Sequence, residues 1–191
     1  MRGWIPIVLA SFGLLATGAA GATSTVSHFP LAAGNTWYLA DAKNASASTV
    51  SVRTRSAGGL FLRGFPGTGD LRVRKAGASV EAYDVADSRW EPFLRLGAAA
   101  GTRYKVDLAR TGLWRNLLVV VASRQLEVED ARGRRFRGCV RLIFRNPKGL
   151  ADAGLEELVF APGVGLVRVK ETTIAGLRTR LLDSFVPGAT R

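Results

Sequence analysis

Leu117-Leu118-Val119-Val120-Val121-Ala122-Ser123-Arg124-Gln125-Leu126-Glu127-Val128-Glu129 opens with an unbroken apolar block and ends in strict apolar/charged alternation. The turn residues Asp130-Ala131-Arg132-Gly133 follow, and then a second run of strand character from Phe136 to Phe144. A period of two places successive side chains on opposite faces of a strand. The alternating half therefore predicts a strand with one wet face, and the block Leu117–Ala122 predicts burial on both faces. Glycine at the end of a short polar connection supplies the positive φ that a hairpin turn needs. The segment is a long antiparallel hairpin.

The same grammar extends in both directions. Short β-rich runs recur every 8 to 14 residues between Gly, Pro, Asn and Asp breaks: Thr49–Thr54, Gly59–Gly64, Leu71–Lys75, Ser79–Asp84, Glu91–Leu96, Thr102–Leu108, Leu155–Phe160, Gly165–Thr172 and Leu177–Phe185. Leu71 and Val73 alternate with Arg72 and Arg74, and Val167 and Val169 with Arg168 and Lys170. Further hairpin turns are predicted at Lys75-Ala76-Gly77-Ala78 and Ile174-Ala175-Gly176. Gly64-Phe65-Pro66-Gly67-Thr68-Gly69 reads as a mobile hairpin loop, and one helical turn is expected within Asn146–Leu158. The fold class is all-β, an antiparallel meander forming a sandwich or an open or half β-barrel. At 191 residues and 47% hydrophobic composition the chain suits one ordinary domain.

That domain is expected over residues 23–191, because residues 1–22 read as a secretory signal peptide. Arg2 supplies the positive start, an apolar run spans Ile5–Ala16, and Ala20-Gly21-Ala22 predicts cleavage after Ala22. No Cys follows the apolar run for lipid attachment. No later segment approaches the roughly 20 apolar residues of a membrane-crossing helix. The expectation is a soluble exported protein, periplasmic or extracellular. Removing residues 1–22 takes away one Arg and no acid, so a chain of net charge +12 remains strongly basic. Such a charge favours anionic surfaces. Export points to an envelope polymer or a lipid surface as the partner and away from nucleic acid. There are 22 Arg to 5 Lys, spread along the chain. Those at alternating strand positions, Arg53, Arg55, Arg72, Arg74, Arg168, Arg178 and Arg180, are the candidate basic surface.

Three segments carry a resemblance. His28-Phe29-Pro30-Leu31-Ala32-Ala33-Gly34-Asn35-Thr36-Trp37-Tyr38 follows F-P-L-x-x-G-N-x-W-x-Y, departing at Leu39, where the pattern has an aromatic. Phe160-Ala161-Pro162-Gly163-Val164-Gly165-Leu166-Val167 closes the chain's pattern, and Gly133–Leu142 is similar to a G-x-F-x-x-C-V-x-L strand. Together they resemble a family of uncharacterised, secreted, β-rich bacterial proteins. The resemblance implies an exported all-β domain without an established activity. Each segment also reads structurally: Phe29, Leu31, Trp37 and Leu39 as core, Gly34-Asn35 and Pro162-Gly163 as turns.

Catalytic patterns are sparse. One His and one Cys exclude a Cys-based zinc cluster and an intramolecular disulfide. His28 is expected to lie in a frayed terminus, and no Gly-x-Ser-x-Gly elbow accompanies it. Cys139, between Gly138 and Val140, reads as a buried, inert thiol. Glu156 and Glu157 would face opposite ways on a strand. Asp84, Asp87 and Glu91 form a loose acidic group that Arg89 interrupts. No catalytic, cofactor or metal site is expected. The leading reading is a non-catalytic exported domain that binds or supports an envelope component. The alternative is a carrier of an apolar ligand lined by Trp90, Phe93, Trp114, Phe136 and Phe144, residues that serve equally as core. An enzyme is the third reading.

Overall fold

A computed structural model of the chain describes residues 27–43, 46–54, 59–108, 114–145 and 154–189. The expected signal peptide with its cleavage point after Ala22, and Arg55, lie outside the described residues. Twelve strands follow one another: β1 (Thr36–Asp41), β2 (Ala47–Thr54), β3 (Leu60–Arg63), β4 (Leu71–Ala76), β5 (Ser79–Asp84), β6 (Arg89–Leu94), β7 (Arg103–Val106), β8 (Leu117–Glu129), β9 (Arg135–Arg145), β10 (Gly154–Ala161), β11 (Gly165–Thr173) and β12 (Gly176–Val186). All pair antiparallel in one sheet of order β6-β5-β4-β3-β2-β1-β12-β11-β10-β9-β8-β7. The first strand thus pairs with the last, Trp37 opposite Phe185 and Leu39 opposite Leu182. Of the two architectures expected, the open barrel is the one formed.

The two edge strands, β6 and β7, come together through a side chain. The buried Tyr104 hydroxyl on β7 donates to the Phe93 carbonyl at 3.3 Å and accepts from the Arg95 N–H at 3.2 Å. Burial pushes the phenol up to about 12. Inside, aromatic rings run in a chain: Phe185 stacks on Trp37 (5.3 Å between centroids), Trp37 meets Phe29 (5.0 Å), and Phe29 meets Phe65 (6.0 Å). The chain continues from Phe65 to Phe93 (5.5 Å), to Trp114 (4.4 Å) and to Phe144 (5.2 Å). Fully burying each large apolar side chain stabilises the fold by about 1.5–3 kcal/mol.

Several expectations are corrected. Gly64–Gly69 is anchored: Phe65 is 1% exposed, and the Trp114 Nε1–H donates to the Pro66 carbonyl at 2.7 Å. Gly154–Leu158, the described part of the expected helical turn, is strand. It pairs with β9 and β11, and a bulge at Glu156 accommodates the break in alternation. The block Leu117–Ala122 is not buried on both faces: Leu117, Val119 and Val121 are buried, while Leu118, Val120 and Ala122 are half-buried. The terminus near His28 is tied down, with the Ser27 carbonyl accepting from the Gly163 N–H at 2.9 Å. β6 begins two residues earlier than expected, because Arg89 and Trp90 pair with Asp84 and Tyr83.

The hairpin turns stand where expected, with positive φ at Gly77, Gly133 and Gly176. The β8–β9 turn has an organiser in Asp130. Its Oδ1 accepts from the N–H groups of Arg132 and Arg134, each at 2.9 Å, and its Oδ2 from Arg134 Nε at 2.6 Å. This tip reaches β12, where the Ala131 N–H donates to the Leu182 carbonyl at 2.8 Å. Arg132 grips Asp183 with two bonds of 2.9 Å.

Candidate functional site

The three segments behind the family resemblance meet at one joint. Trp37, fully buried, donates its Nε1–H to the Val164 carbonyl at 2.7 Å and lies against Gly165. A Cβ at Gly165 would fall 2.8 Å from Trp37 Nε1, and its φ of +100° is one that only glycine adopts readily. Phe29 packs edge-on against Phe160 at 5.3 Å. His28 Nε2 lies 3.0 Å from the Gly138 carbonyl, which requires the Nε2–H tautomer. Asn35 donates to the Pro30 carbonyl at 2.6 Å and accepts from the Gly188 N–H at 2.7 Å. These residues hold the chain's two ends together. Their arrangement is structural.

The candidate site is on the outer face. Along β2 to β6 the inward positions are apolar, namely Val50, Val52, Leu62, Leu71, Val73, Val80 and Ala82. The alternate positions turn outward. Arg53 pairs with Phe61 and Phe61 with Arg72. The Arg72 guanidinium lies 5.2 Å from the Tyr83 ring and 5.4 Å from the Trp90 ring, and Tyr83 pairs with Trp90. A single row of cation, ring, cation, ring, ring therefore crosses five strands. Four steps of about 4.8 Å make it roughly 19 Å long. Arg74 flanks the row, 4.4 Å over the Trp90 ring and 2.6 Å from Glu81. An open groove of about 380 Å³ continues it, lined by Ser51, Arg53, Arg63 and Thr68 together with one acid, Asp70. Guanidinium planes resting on rings are pre-organised, so they lose less freedom when an anion docks.

Of the Arg residues singled out from sequence, Arg53, Arg72 and Arg74 come together here. Among the described residues the others, Arg168, Arg178 and Arg180, do not join them. Arg168 sits on the β9–β11 side, 2.7 Å from Glu157, which also binds Arg141 at 2.6 Å. Arg178 and Arg180 follow the inward parity of Leu182. Arg178 Nε meets the buried Asp41 at 2.6 Å, while Arg180 donates to Glu171 at 2.5 Å and Ser48 at 2.9 Å. Arg180 is 8% exposed and cannot belong to a docking face. Phe61, Arg63, Tyr83 and Trp90 were not read as surface residues from sequence. The signal was available in the hairpin registers that place Trp90 opposite Tyr83.

The acidic candidates are occupied. Asp87 and Glu91 both bind Arg89, at 3.1 and 2.5 Å, and Asp84 accepts from the Ala86 N–H at 2.8 Å. Glu156 takes the Thr172 hydroxyl at 2.8 Å. Cys139 is fully buried, its Sγ 3.5 Å from the Phe136 carbonyl. Burial pushes its thiol up to about 11, against thiolate chemistry. Among the described residues no group of three His, Cys, Asp or Glu side chains could hold a metal ion. Of the residues considered for an apolar cavity, Phe93, Trp114 and Phe144 pack on one another, whereas Trp90 faces outward against Arg72 and Arg74.

No protein-family model matches the sequence, and no curated protein does. Two solved structures are similar. One is a Bacteroides fragilis protein assigned as exported, with a YmcC-like fold: 12% identity over 85% of this chain and 100% of that chain, TM-score 0.46. The other is a Parabacteroides distasonis protein assigned as a lipoprotein: 14% identity over 84% of this chain and 99% of that chain, TM-score 0.38.

Proposed function

We propose that this chain is an exported, non-catalytic β domain of the secreted bacterial family it resembles. In this reading it binds an anionic polymer of the cell envelope along the outer face of β2–β6. The observation that carries it is the row Arg53–Phe61–Arg72–Tyr83–Trp90. The signal-peptide features of residues 1–22 and the net charge of +12 support the compartment and the sign of the partner. A linear row on a curved outer face suits a chain-like partner. Its rings lie under guanidinium groups, so they are poorly placed to enter lipid. The carrier reading is less favoured, because three of its lining residues fill one another's space.

The test is co-sedimentation of the mature protein with envelope polymer from its own host, across a salt series. Exposed charges are screened within about 8–10 Å at 0.1–0.15 M ionic strength, so binding should fall steeply as salt rises. It should also vanish when the polymer's anionic groups are removed. Salt-independent binding, or equal binding to the neutralised polymer, would overturn the proposal. Preference for phosphatidylglycerol vesicles over polymer would move the partner to a lipid surface.

A further inference from the structure

The end of the sheet that carries the β4–β5, β8–β9 and β10–β11 turns holds a second basic feature, apart from the outer row. Residues 27–28 cross this end, bonded on one side to Gly163 and Gly138. On the other side they border a cavity of about 250 Å³, shared with Lys75, Gly77, Gly97 and Arg124. That is below the roughly 300–1,000 Å³ typical of sites for drug-sized ligands. Lys75 is the next member of the inward row Leu71–Val73, opposite Val80 on β5, and its exposed side chain borders the cavity. Arg124 reaches in from β8 and is held by the carbonyls of Leu96 and Ala98. Both bonds use Nη1, which leaves Nε and Nη2 as donors. His28 is fixed through Nε2, which leaves Nδ1 as its second polar atom.

Among the described residues no acid lines the cavity, and neither Lys75 nor Arg124 is paired with a carboxylate. Lys75 and Arg124 reach the cavity from two elements, and their remaining N–H donors are open to an anion. Gly97 lets two segments of the wall pack closely, since a Cβ there would lie 2.6 Å from Ala78 Cβ. We propose that this cavity binds a phosphomonoester group, with Lys75 and Arg124 as its charged ligands and His28, held by Gly138, as one wall. The Lys75 ammonium and the two free guanidinium nitrogens of Arg124 supply donors enough for the three free oxygens of such a phosphate, more than the two of a carboxylate use. The source is a free small phosphate ester or the headgroup of a lipid.

The experiment is an NMR chemical-shift titration of the mature protein with glycerol 3-phosphate, followed by vesicles containing phosphatidic acid. Saturable shifts at residues 75–78, 96–98 and 124 are expected. Lys75→Gln should weaken binding at least tenfold, and Arg72→Gln/Arg74→Gln, which removes more charge elsewhere, should leave it within twofold. Because Arg124 also supports the 95–102 loop, Lys75→Gln decides the matter. Arg124→Lys, checked for an unchanged fold by its spectrum, should weaken binding as well. Binding to the soluble ester alone identifies a free ligand, and binding to vesicles as well identifies a lipid headgroup. Non-saturable shifts, or a Lys75→Gln variant that binds like the parent, would overturn the site. Neither result bears on the outer row, whose polymer binding is measured separately.

Discussion

Replacing Gly165 by Ala probes the joint between the chain's two ends. Two costs add there. A non-glycine residue at φ +100° is strained by about 1–3 kcal/mol. The new methyl would stand 2.8–3.0 Å from three atoms of the Trp37 indole, and crowding a packed interior in this way costs about 1–3 kcal/mol. The indole cannot retreat freely. It stacks on Phe185, touches Phe29 and donates to Val164. The expected loss is therefore about 2–6 kcal/mol, a large share of the 5–15 kcal/mol typical of a domain. Gly133→Ala is the internal control: its φ is +76° with nothing within 4 Å of the new methyl, so only backbone strain of about 1–2 kcal/mol applies. Urea denaturation gives both values, and at a slope of about 1–3 kcal/mol per molar the two midpoints should separate clearly. Trp37→Phe, which removes the fused ring, should recover part of the Gly165→Ala loss in a double-mutant cycle, with a coupling of about 0.5–3 kcal/mol. Equal losses for the two glycine variants, or strict additivity with Trp37→Phe, would refute the contact.

Other outcomes follow from the same geometry. Cys139 should resist thiol reagents in the folded protein and react on unfolding. Cys139→Ser should cost about 1–3 kcal/mol, since its hydroxyl gains at best one poorly placed acceptor; fast labelling of the native state would contradict this. Tyr104 is held near 12 when folded and near 10 when unfolded. Its contribution is intact below pH 10 and lost as pH rises through 12, up to about 2–3 kcal/mol. Tyr104→Phe should abolish that alkaline slope, while also loosening the β6–β7 closure in hydrogen exchange. Asp183 is held below the ordinary carboxylate range by its hydrogen bonds from Arg132. Its stabilisation is present above about pH 4 and lost as pH falls through the lowered value. Asp183→Asn should therefore speed amide exchange at residues 131–134 at neutral pH and remove its acid dependence.

Much of the fold is legible in local pattern. β5 and β8 occupy the residues that alternation predicts, and Gly77, Gly133 and Gly176 mark their turns because a positive φ leaves a residue-specific trace. Alternation also shows that Arg72 and Arg74 share a face. It cannot show which way a polar row points where the interior itself becomes polar. Arg178 and Arg180 alternate like surface residues yet turn inward to Asp41, Glu171 and Ser48. Long-range closure was hidden for a different reason. Trp37 and Val164 are 127 residues apart, and only the first-to-last strand pairing brings them together. The outer row is intermediate: each residue is visible, but Arg53, Phe61, Arg72, Tyr83 and Trp90 align only once four registers are known. Phe65 defeated reading altogether, since a Gly- and Pro-rich loop gives no local sign that its aromatic is pinned beneath Trp114.

The docking face is tested most directly by comparing two charge-matched double variants in the host-polymer sedimentation assay. Arg72→Gln/Arg74→Gln removes one charge from the row and the charge that flanks it. Arg135→Gln/Arg137→Gln removes two exposed charges from β9, which pair with Glu129 and Glu127 on β8. The account predicts that the first pair weakens binding at least tenfold and flattens its salt dependence, while the second changes it less than twofold. Equal losses would mean that net charge alone drives association, and the row would have no special role.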